Sequence, residues 1–599
     1  MSEREQLIKK NLEFIKILPS WAQELSTKYC SKTANLYILH GNIRDFLPHQ
    51  MYEDQFLFVR IQEYISEILF GNVGRIIFFD RSSGVNFISQ ELQKEYLKTM
   101  ATVYPDVSAE DFLSPDPKKA FKYLERYFLS NLQKNMQIQN EEDREQYRII
   151  LIIDYAEMIV SNCDIARMTD EDKYNLVTLN RWGQDPIFTR GDISVILLTE
   201  NLSDLSPRLV RSPSTMKINI PIPDETVRTS FLNFKARQEL LILENRLNPE
   251  RVAKITSGLN LINLNQLAAE SFEEDKPISL EYLKYRKKEI IENEACGLLE
   301  FIETEHDLSM VSGHEFVKKR FKSAAKAIKL GRLDVLPMGY LISGAVGTGK
   351  SFMVTAFAGE IGVPIVKLKN FRSQWQGTSE ANFEKVLNIL KAMAPVGVLV
   401  DEADAFLGSR NEEGIDSGTS NRIFAQLASF MGNTDYRGKI IWFLITCRPD
   451  LLPVDLKRQG RAEEHLALFY PDTNEERENL FETLIKKLKL KVQQNVGISD
   501  LLKKYKLESS GADIEAILIR AKFNATMNNH VIITKEDIEE TIRDFAPPTY
   551  PYAIELQNLV AVIECTSKEM VPRKFQNLDR TKILEQIREL KLLLGEINE

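Results

Sequence analysis

Residues Gly344-Ala345-Val346-Gly347-Thr348-Gly349-Lys350-Ser351 follow directly on an apolar run, Gly339–Ile342, and precede a helical stretch. This is the GxxxxGK[ST] pattern in its strand–loop–helix setting. It commits the surrounding chain to a parallel sheet, because the loop works only at the C-terminal end of a buried strand. The glycines let backbone N–H groups close around phosphates without a Cβ in the way. Lys350 supplies a point charge near the β/γ-phosphates, and Ser351 offers an oxygen to Mg²⁺.

Asp401 lies fifty-one residues after Lys350, in the run Val398-Leu399-Val400-Asp401-Glu402. An apolar strand that ends in two carboxylates suits a magnesium nucleotide. Asp401 is expected to hold the ion through water, and Glu402 to orient and polarise the attacking water. One Asp-Glu after a strand is also a common helix N-cap. The phosphate loop upstream decides between the two readings.

Apolar runs bounded by polar turns recur in two rounds. The first has Asn35–His40, Arg75–Phe79, Arg148–Ile153, Ile193–Leu198 and Met216–Ile222; the second adds Pro364–Lys367, Gly397–Val400, Ile440–Ile445 and His465–Phe469 to Gly339–Ile342. Helix-length stretches such as Gln55–Leu69 and Pro117–Gln133 lie between them, and residues 1–30 read as amphipathic helix. Such alternation predicts parallel sheets with helices on both faces. Each round closes in a helical stretch, near 224–275 and 474–545. Lys284–Ile291 between the rounds reads as a solvated connecting helix.

The two rounds superpose as sequences. RIILIIDYAE (148–157) matches VGVLVDEADA (396–405), which sets Asp154 opposite Asp401. VILLTENLSDLSPRLVRS (195–212) matches WFLITCRPDLLPVDLKRQ (442–459), which sets Arg211 opposite Arg458; TSGLNLINLNQLA (256–268) resembles SSGADIEAILIRA (509–521). Three matches in one order indicate an internal duplication. The first copy lacks a phosphate loop: after its first strand it reads His40-Gly-Asn-Ile-Arg-Asp-Phe46, and Tyr155 stands where Glu402 stands in the second. His40 reads better as a strand-end residue satisfied by neighbours than as a catalytic base.

Composition narrows the partners. Of 599 residues 43% are hydrophobic and 27% charged, an ordinary globular balance, and 77 basic against 86 acidic residues give a net charge of −9. An acidic average argues against a coat for nucleic acid or anionic lipid. The five cysteines form no CxxC pair, which points to a reducing compartment rather than a disulfide framework or zinc ribbon. The charged N-terminus is not a signal peptide, and no run of 18 apolar residues spans a membrane. The expectation is a cytoplasmic protein.

From about Leu308 to Phe545 the residues resemble the AAA family of ATPases within the AAA+ class. Asn421–Met431 looks like the helix that follows the Asp-Glu strand there. Asp455-Leu-Lys-Arg-Gln-Gly-Arg461 looks like the Arg-x-Gly-Arg element, Ser510-Gly-Ala-Asp513 like the lid signature, and Met310-Val-Ser-Gly313 like the adenine-contacting segment. More narrowly, Asp416–Ser420, Leu298–Phe301 and the degenerate first round resemble an AAA family of cyanobacteria and plastid genomes. The resemblance implies an α/β P-loop NTPase fold with a helical lid, preceded by a degenerate AAA-like module. Its expected divisions are 1–285 (module without a phosphate loop), 286–306 (linker helix), 307–470 (ATPase core), 471–545 (lid) and 546–599 (helical extension).

The resemblance also implies ATP and Mg²⁺ as cofactors. Nucleotide contacts fall on Gly344, Ala345, Val346, Gly347, Thr348, Gly349, Lys350, Ser351, Phe352, Val311, Ser312, Gly511 and Ala512, and metal contacts on Ser351 and Asp401. Lys350, Asp401, Glu402 and Thr446 are the catalytic set within the module. Arg458 and Arg461 would reach the nucleotide of a neighbouring subunit in a ring, in this family usually a hexamer. Trp375, in Gln374–Ser379, holds the place of an aromatic pore residue that grips substrate protein. Three departures stand out: Cys447 for the usual Asn, Ala462-Glu463 for Phe-Asp, and Gln376 for an aliphatic residue. The expected function is a chaperone-like Mg-ATPase that remodels a protein substrate, with no nucleic acid or membrane partner. The alternative is a slow ATPase that acts as a nucleotide-gated assembly scaffold.

Overall fold

The computed structural model describes residues 15–52, 55–71, 73, 75–136, 147–163, 165–244, 246–273, 275–361, 363–369, 380–407, 417–494, 496–505, 509–546, 550–571, 575 and 579–597. The chain divides into two compact units, 1–291 with 379–392, and 292–378 with 393–599. No helix among the described residues is long and apolar enough to cross a membrane.

Among the described residues of the first unit eight strands form, β1 (Leu36–Gly41), β2 (Leu47–Tyr52), β3 (Gln55–Val59), β4 (Ile76–Asp80), β5 (Gly84–Phe87), β6 (Ile149–Ile153), β7 (Ile193–Thr199) and β8 (Thr215–Ile220). Six of them make one sheet in the order β5-β4-β6-β7-β1-β8, parallel except for the β4–β5 hairpin. Every residue of β6 and β7 is buried. Their runs of Ile, Leu and Val suit a strand covered on both faces. One face packs on Phe121, Tyr127 and Trp182, the other on Trp21, Leu25 and Tyr64. The helices Glu225–Arg237, Pro249–Ile255, Leu261–Glu273 and Leu280–Glu294 complete the unit, the first two capped by Asp224 and Asn248.

The second unit repeats this plan. Its strands are β9 (Leu299–Phe301), β10 (Gly339–Gly344), β11 (Ile365–Leu368), β12 (Val396–Val400), β13 (Ile440–Thr446) and β14 (Glu464–Leu468), in the order β14-β10-β13-β12-β11-β9. Matching β10 to β1, β11 to β4, β12 to β6, β13 to β7 and β14 to β8 reproduces the first order strand for strand. In both sheets only the far edge strand is antiparallel. Four helices, Asn474–Lys487, Ile498–Lys504, Gly511–Met527 and Lys535–Asp544, form a lid around their own core of Phe481, Ile514, Ile517, Leu518 and Ile538. Reciprocal capping boxes at Thr473/Glu476, Ser510/Asp513 and Thr534/Asp537 fix three of their N-termini. The helices Pro551–Glu564 and Arg580–Leu593 close on Leu556, Leu559, Val560, Ile583, Ile587 and Leu590. Leu584 and Leu594, at neighbouring positions of the same apolar pattern, remain exposed.

Three expectations are corrected. Gln55–Leu69 is helical only from Ile61, because Gln55–Val59 pairs with β2 as a hairpin whose Phe58 packs 5.0 Å from Phe231. The segment 286–306 is helix only to Glu294, and Leu299–Phe301 then adds the edge strand β9 to the second sheet. Finally, the charged stretch Lys284–Ile291 is not wholly solvated. Lys287 is buried, donates to Ile255 O at 2.8 Å and Ser257 Oγ at 3.0 Å, and burial lowers its pKa to about 8.

Candidate active site

The phosphate loop leaves β10 at Gly344, whose φ of +142° is open to glycine alone; a Cβ there would lie 2.1 Å from Leu468 O. The loop then passes under the lid. A Cβ on Gly347 would meet Ser510 Oγ at 3.0 Å and the Ala512 Cβ at 3.5 Å, so the N-terminus of the Gly511–Met527 helix rests on the loop. Thr348 Oγ1 donates back to Ala345 O at 2.9 Å, and Lys350 Nζ donates to Gly344 O at 2.9 Å and Ala345 O at 2.8 Å. Lys350 is buried, so its ammonium is held at the mouth of the loop. The Phe352 ring lies 5.7 Å from that of His306 in a tilted contact and under Lys487 of the lid.

Strand β12 ends beside this loop. Ser351 Oγ is 3.3 Å from both carboxylate oxygens of Asp401. A hydroxyl and a carboxylate converging in this way are the hard oxygen donors that magnesium takes. Glu402 follows with φ +49°, its N–H donating to Asp401 Oδ1 at 3.1 Å. A non-glycine residue held at positive φ carries strain, and such strain gathers at functional sites. Lys367 Nζ on β11 lies 3.1 Å from Asp401 Oδ2. Sequence reasoning passed over Lys367, since a lysine inside a short strand carries no motif.

The residues after β13 are engaged. Thr446 Oγ1 donates to Asp404 Oδ1 at 2.6 Å and accepts from Arg448 N at 2.8 Å, and Lys350 Nζ donates to Cys447 Sγ at 3.2 Å. The two arginines separate. Arg458 is exposed, whereas Arg461 is buried with Nη1 donating to Asp455 O at 2.7 Å, and burial lowers its pKa. Val311 is buried and its carbonyl accepts from Lys318 Nζ at 3.0 Å; Ser312 follows it before the helix Glu315–Lys329. Trp375 lies outside the described residues.

The first unit builds the same corner from other chemistry. Asp154 ends β6 as Asp401 ends β12, and Tyr155 also has φ +49°, with its N–H donating to Asp154 Oδ1 at 2.8 Å. Here Arg44 Nη1 sits 2.8 Å from Asp154 Oδ1, Gln62 Nε2 donates to Oδ2 at 2.9 Å, and the Arg44 guanidinium lies 3.9 Å from the Tyr155 ring centre. Asp45 is buried and accepts from Leu261 N and Ile262 N at 2.9 Å each, at the head of the helix Leu261–Glu273. Thus a guanidinium pairs with the carboxylate that ends β6, and a second carboxylate is held at a helix N-terminus. His40 is buried with no hydrogen-bond partner at Nδ1 among the described residues, which corrects the reading of it as satisfied by neighbours.

Comparison with known proteins follows the same division. Residues 9–221 match the family described as AAA+ chaperone, N-terminal Rossmann-like domain, and 226–296 match AAA+ chaperone, second helical domain. Residues 340–470 match the ATPase family associated with various cellular activities (AAA). The chain is 26% identical over 372 residues to the uncharacterized AAA domain-containing protein ycf46 of Guillardia theta, covering 60% of this chain and 70% of that one. It is 30% identical over 271 residues to the ycf46 protein of Gracilaria tenuistipitata var. liui, covering 44% and 53%. To the cell division cycle protein 48 homolog of Archaeoglobus fulgidus it is 26% identical over 408 residues, covering 63% and 54%. The chain therefore spans about half the length of two of these relatives.

Proposed function

We propose that this chain, whose residues 340–470 match the AAA family of ATPases, is an ATP hydrolase that forms a ring, usually of six subunits in this family, and couples Mg²⁺-dependent ATP hydrolysis to remodelling of a protein substrate. The observation that carries the reading is the convergence of Lys350, Ser351, Asp401 and Glu402 at the end of one sheet, under the lid helix at Gly511 and Ala512. In this reading the loop Gly344–Ser351 cradles the phosphates, and Lys350 exchanges its contacts with the loop carbonyls for phosphate oxygens. Ser351 and Asp401 would hold magnesium, which when bound neutralises charge on the phosphates. Glu402 orients and deprotonates the attacking water. Val311 and Ser312 border the base, and Phe352 buttresses the lid.

The exposed Arg458 is the arginine offered to a neighbour's nucleotide, while the buried Arg461 shapes the loop that presents it. The first unit, with its arginine and aspartate in place, binds no nucleotide and serves assembly or client binding. The chaperone description of the matched N-terminal domains and the acidic net charge support a protein client rather than nucleic acid. Trp375 is the proposed grip.

The scaffold reading is favoured by one observation: the Thr446 hydroxyl is bonded to Asp404 and the Cys447 thiol to Lys350, so neither stands ready to position water. Co-purification with Glu402→Gln decides between the two. A remodelling machine retains a client in its ATP-bound form and hydrolyses faster when that client is added to the wild type. A scaffold shows no client stimulation.

A further inference from the structure

The extension after the lid reaches the phosphate loop itself. Gln557, on the helix Pro551–Glu564, accepts from Val346 N at 3.0 Å through Oε1. The carbonyl of the same residue is held too, by Tyr470 Oη donating at 2.5 Å. Val346 is 58% exposed, so these two bonds, rather than packing, hold the crest of the loop.

The helix that carries Gln557 is fastened at several points. Its neighbours Leu556, Leu559 and Val560 are buried against Ile583, Ile587 and Leu590. Glu564 pairs with Lys457, beside Arg458, and Thr566 Oγ1 accepts from His465 N at 3.0 Å on β14. Further on, Glu596 takes Arg448 in a two-point contact at 2.6 and 2.7 Å, next to Cys447. The extension thus touches the phosphate loop, the loop after β13 and the arginine loop.

We propose that Gln557 is a positioning residue for the ATPase: it holds Val346 so that the phosphate loop is shaped before nucleotide arrives. The proposal rests on the loop being the nucleotide site. The loop has three glycines at positive φ, Gly344, Gly347 and Gly349, and is entropically costly to order. Holding it ordered beforehand removes that cost from binding. A single net hydrogen bond corresponds to about three- to ten-fold in affinity. The effect falls on nucleotide affinity and KM, with kcat at saturation little changed, because Gln557 touches the loop and none of Asp401, Glu402 or Lys350.

The test uses the full chain with Gln557→Met, which keeps length and loses the acceptor, and Tyr470→Phe, which loses only the hydroxyl. Hydrogen exchange of 344–349 is measured without nucleotide, ADP affinity by calorimetry, and KM and kcat separately. Gln557→Glu, which keeps an oxygen acceptor, is the rescue variant for the exchange measurement. The expected result is faster exchange in 344–349 for Gln557→Met and Tyr470→Phe, wild-type exchange there for Gln557→Glu, unchanged exchange in Ile440–Thr446, ADP affinity weaker by about three- to ten-fold in the first two variants, and KM raised with kcat retained. Wild-type exchange and affinity in Gln557→Met would overturn the proposal. So would faster exchange spreading into β13, which would make the residue merely structural. Wild-type chain that binds no ADP would instead refute the site, while the exchange measurement still reads the clamp.

Discussion

Arg44 lies 2.8 Å from Asp154, at the strand end that the second unit gives to Asp401. With Gln62 on the other carboxylate oxygen and Asp45 on the helix at Leu261, the corner is filled by protein groups. One chain is therefore expected to bind one nucleotide. Calorimetry on the wild type should give a stoichiometry near one, and Lys350→Ala should remove the binding altogether. Saturable ATP binding that survives in Lys350→Ala would mean a second site.

Gly344 and Gly349 both have positive φ, yet only Gly344 is crowded. A Cβ on Gly344 meets Leu468 O at 2.1 Å, whereas one on Gly349 meets nothing within 4 Å. Gly344→Ala is expected to separate β10 from β14 and to lower the thermal unfolding midpoint clearly. Gly349→Ala should carry only the backbone strain of about 1–2 kcal/mol. Thermal unfolding of the two variants side by side checks the order.

Arg458 is exposed and Arg461 is buried against its own loop. Arg458→Ala is expected to lower turnover by about 10³–10⁵, the range for an arginine acting on the transferring phosphoryl group. Mixing it with Lys350→Ala should restore part of the activity, since some interfaces then pair an intact pocket with an intact arginine. Specific activity in the wild type should rise with protein concentration near the assembly constant. Full activity of Arg458→Ala alone would defeat the trans arrangement.

His40 is held neutral: burial lowers its pKa to about 4. In the unfolded chain it takes up a proton near its ordinary value of about 6.5. As pH falls from about 6.5 the unfolded state binds the proton first, so the contribution is present above that value and lost progressively toward pH 4. Its full size is about 3 kcal/mol. Hydrogen exchange of Leu36–Gly41, compared between wild type and His40→Gln at matched pH, should converge as pH is lowered from 7 to 4. A difference independent of pH would contradict the assignment.

The phosphate loop, the Asp-Glu strand and the duplication were legible because each is a local pattern fixed by chemistry: glycines where the backbone turns, aliphatic runs where two faces are covered. The strand order of both sheets agrees with the alignment of Asp154 with Asp401. The hairpin at Gln55–Val59 was missed because a short apolar run beside a helix is not told from helix by periodicity and has no turn signature of its own. Lys367, Gln557 and Arg44 were missed for a different reason. Each acts across a large sequence distance through a single side chain, and no spacing rule connects positions 34, 211 or 110 residues apart. Nor did the motif separate Arg458 from Arg461, since exposure is a property of the folded loop.

Glu402, carried at positive φ after Asp401, is the residue proposed to perform the chemistry at a single nucleotide site. The most direct measurement is single-turnover hydrolysis by Glu402→Gln beside ATP binding by the same sample. Binding is expected within a few-fold of wild type and hydrolysis lost by about 10²–10⁴, the usual contribution of a general base. Hydrolysis at the wild-type rate in that variant would contradict this role for Glu402.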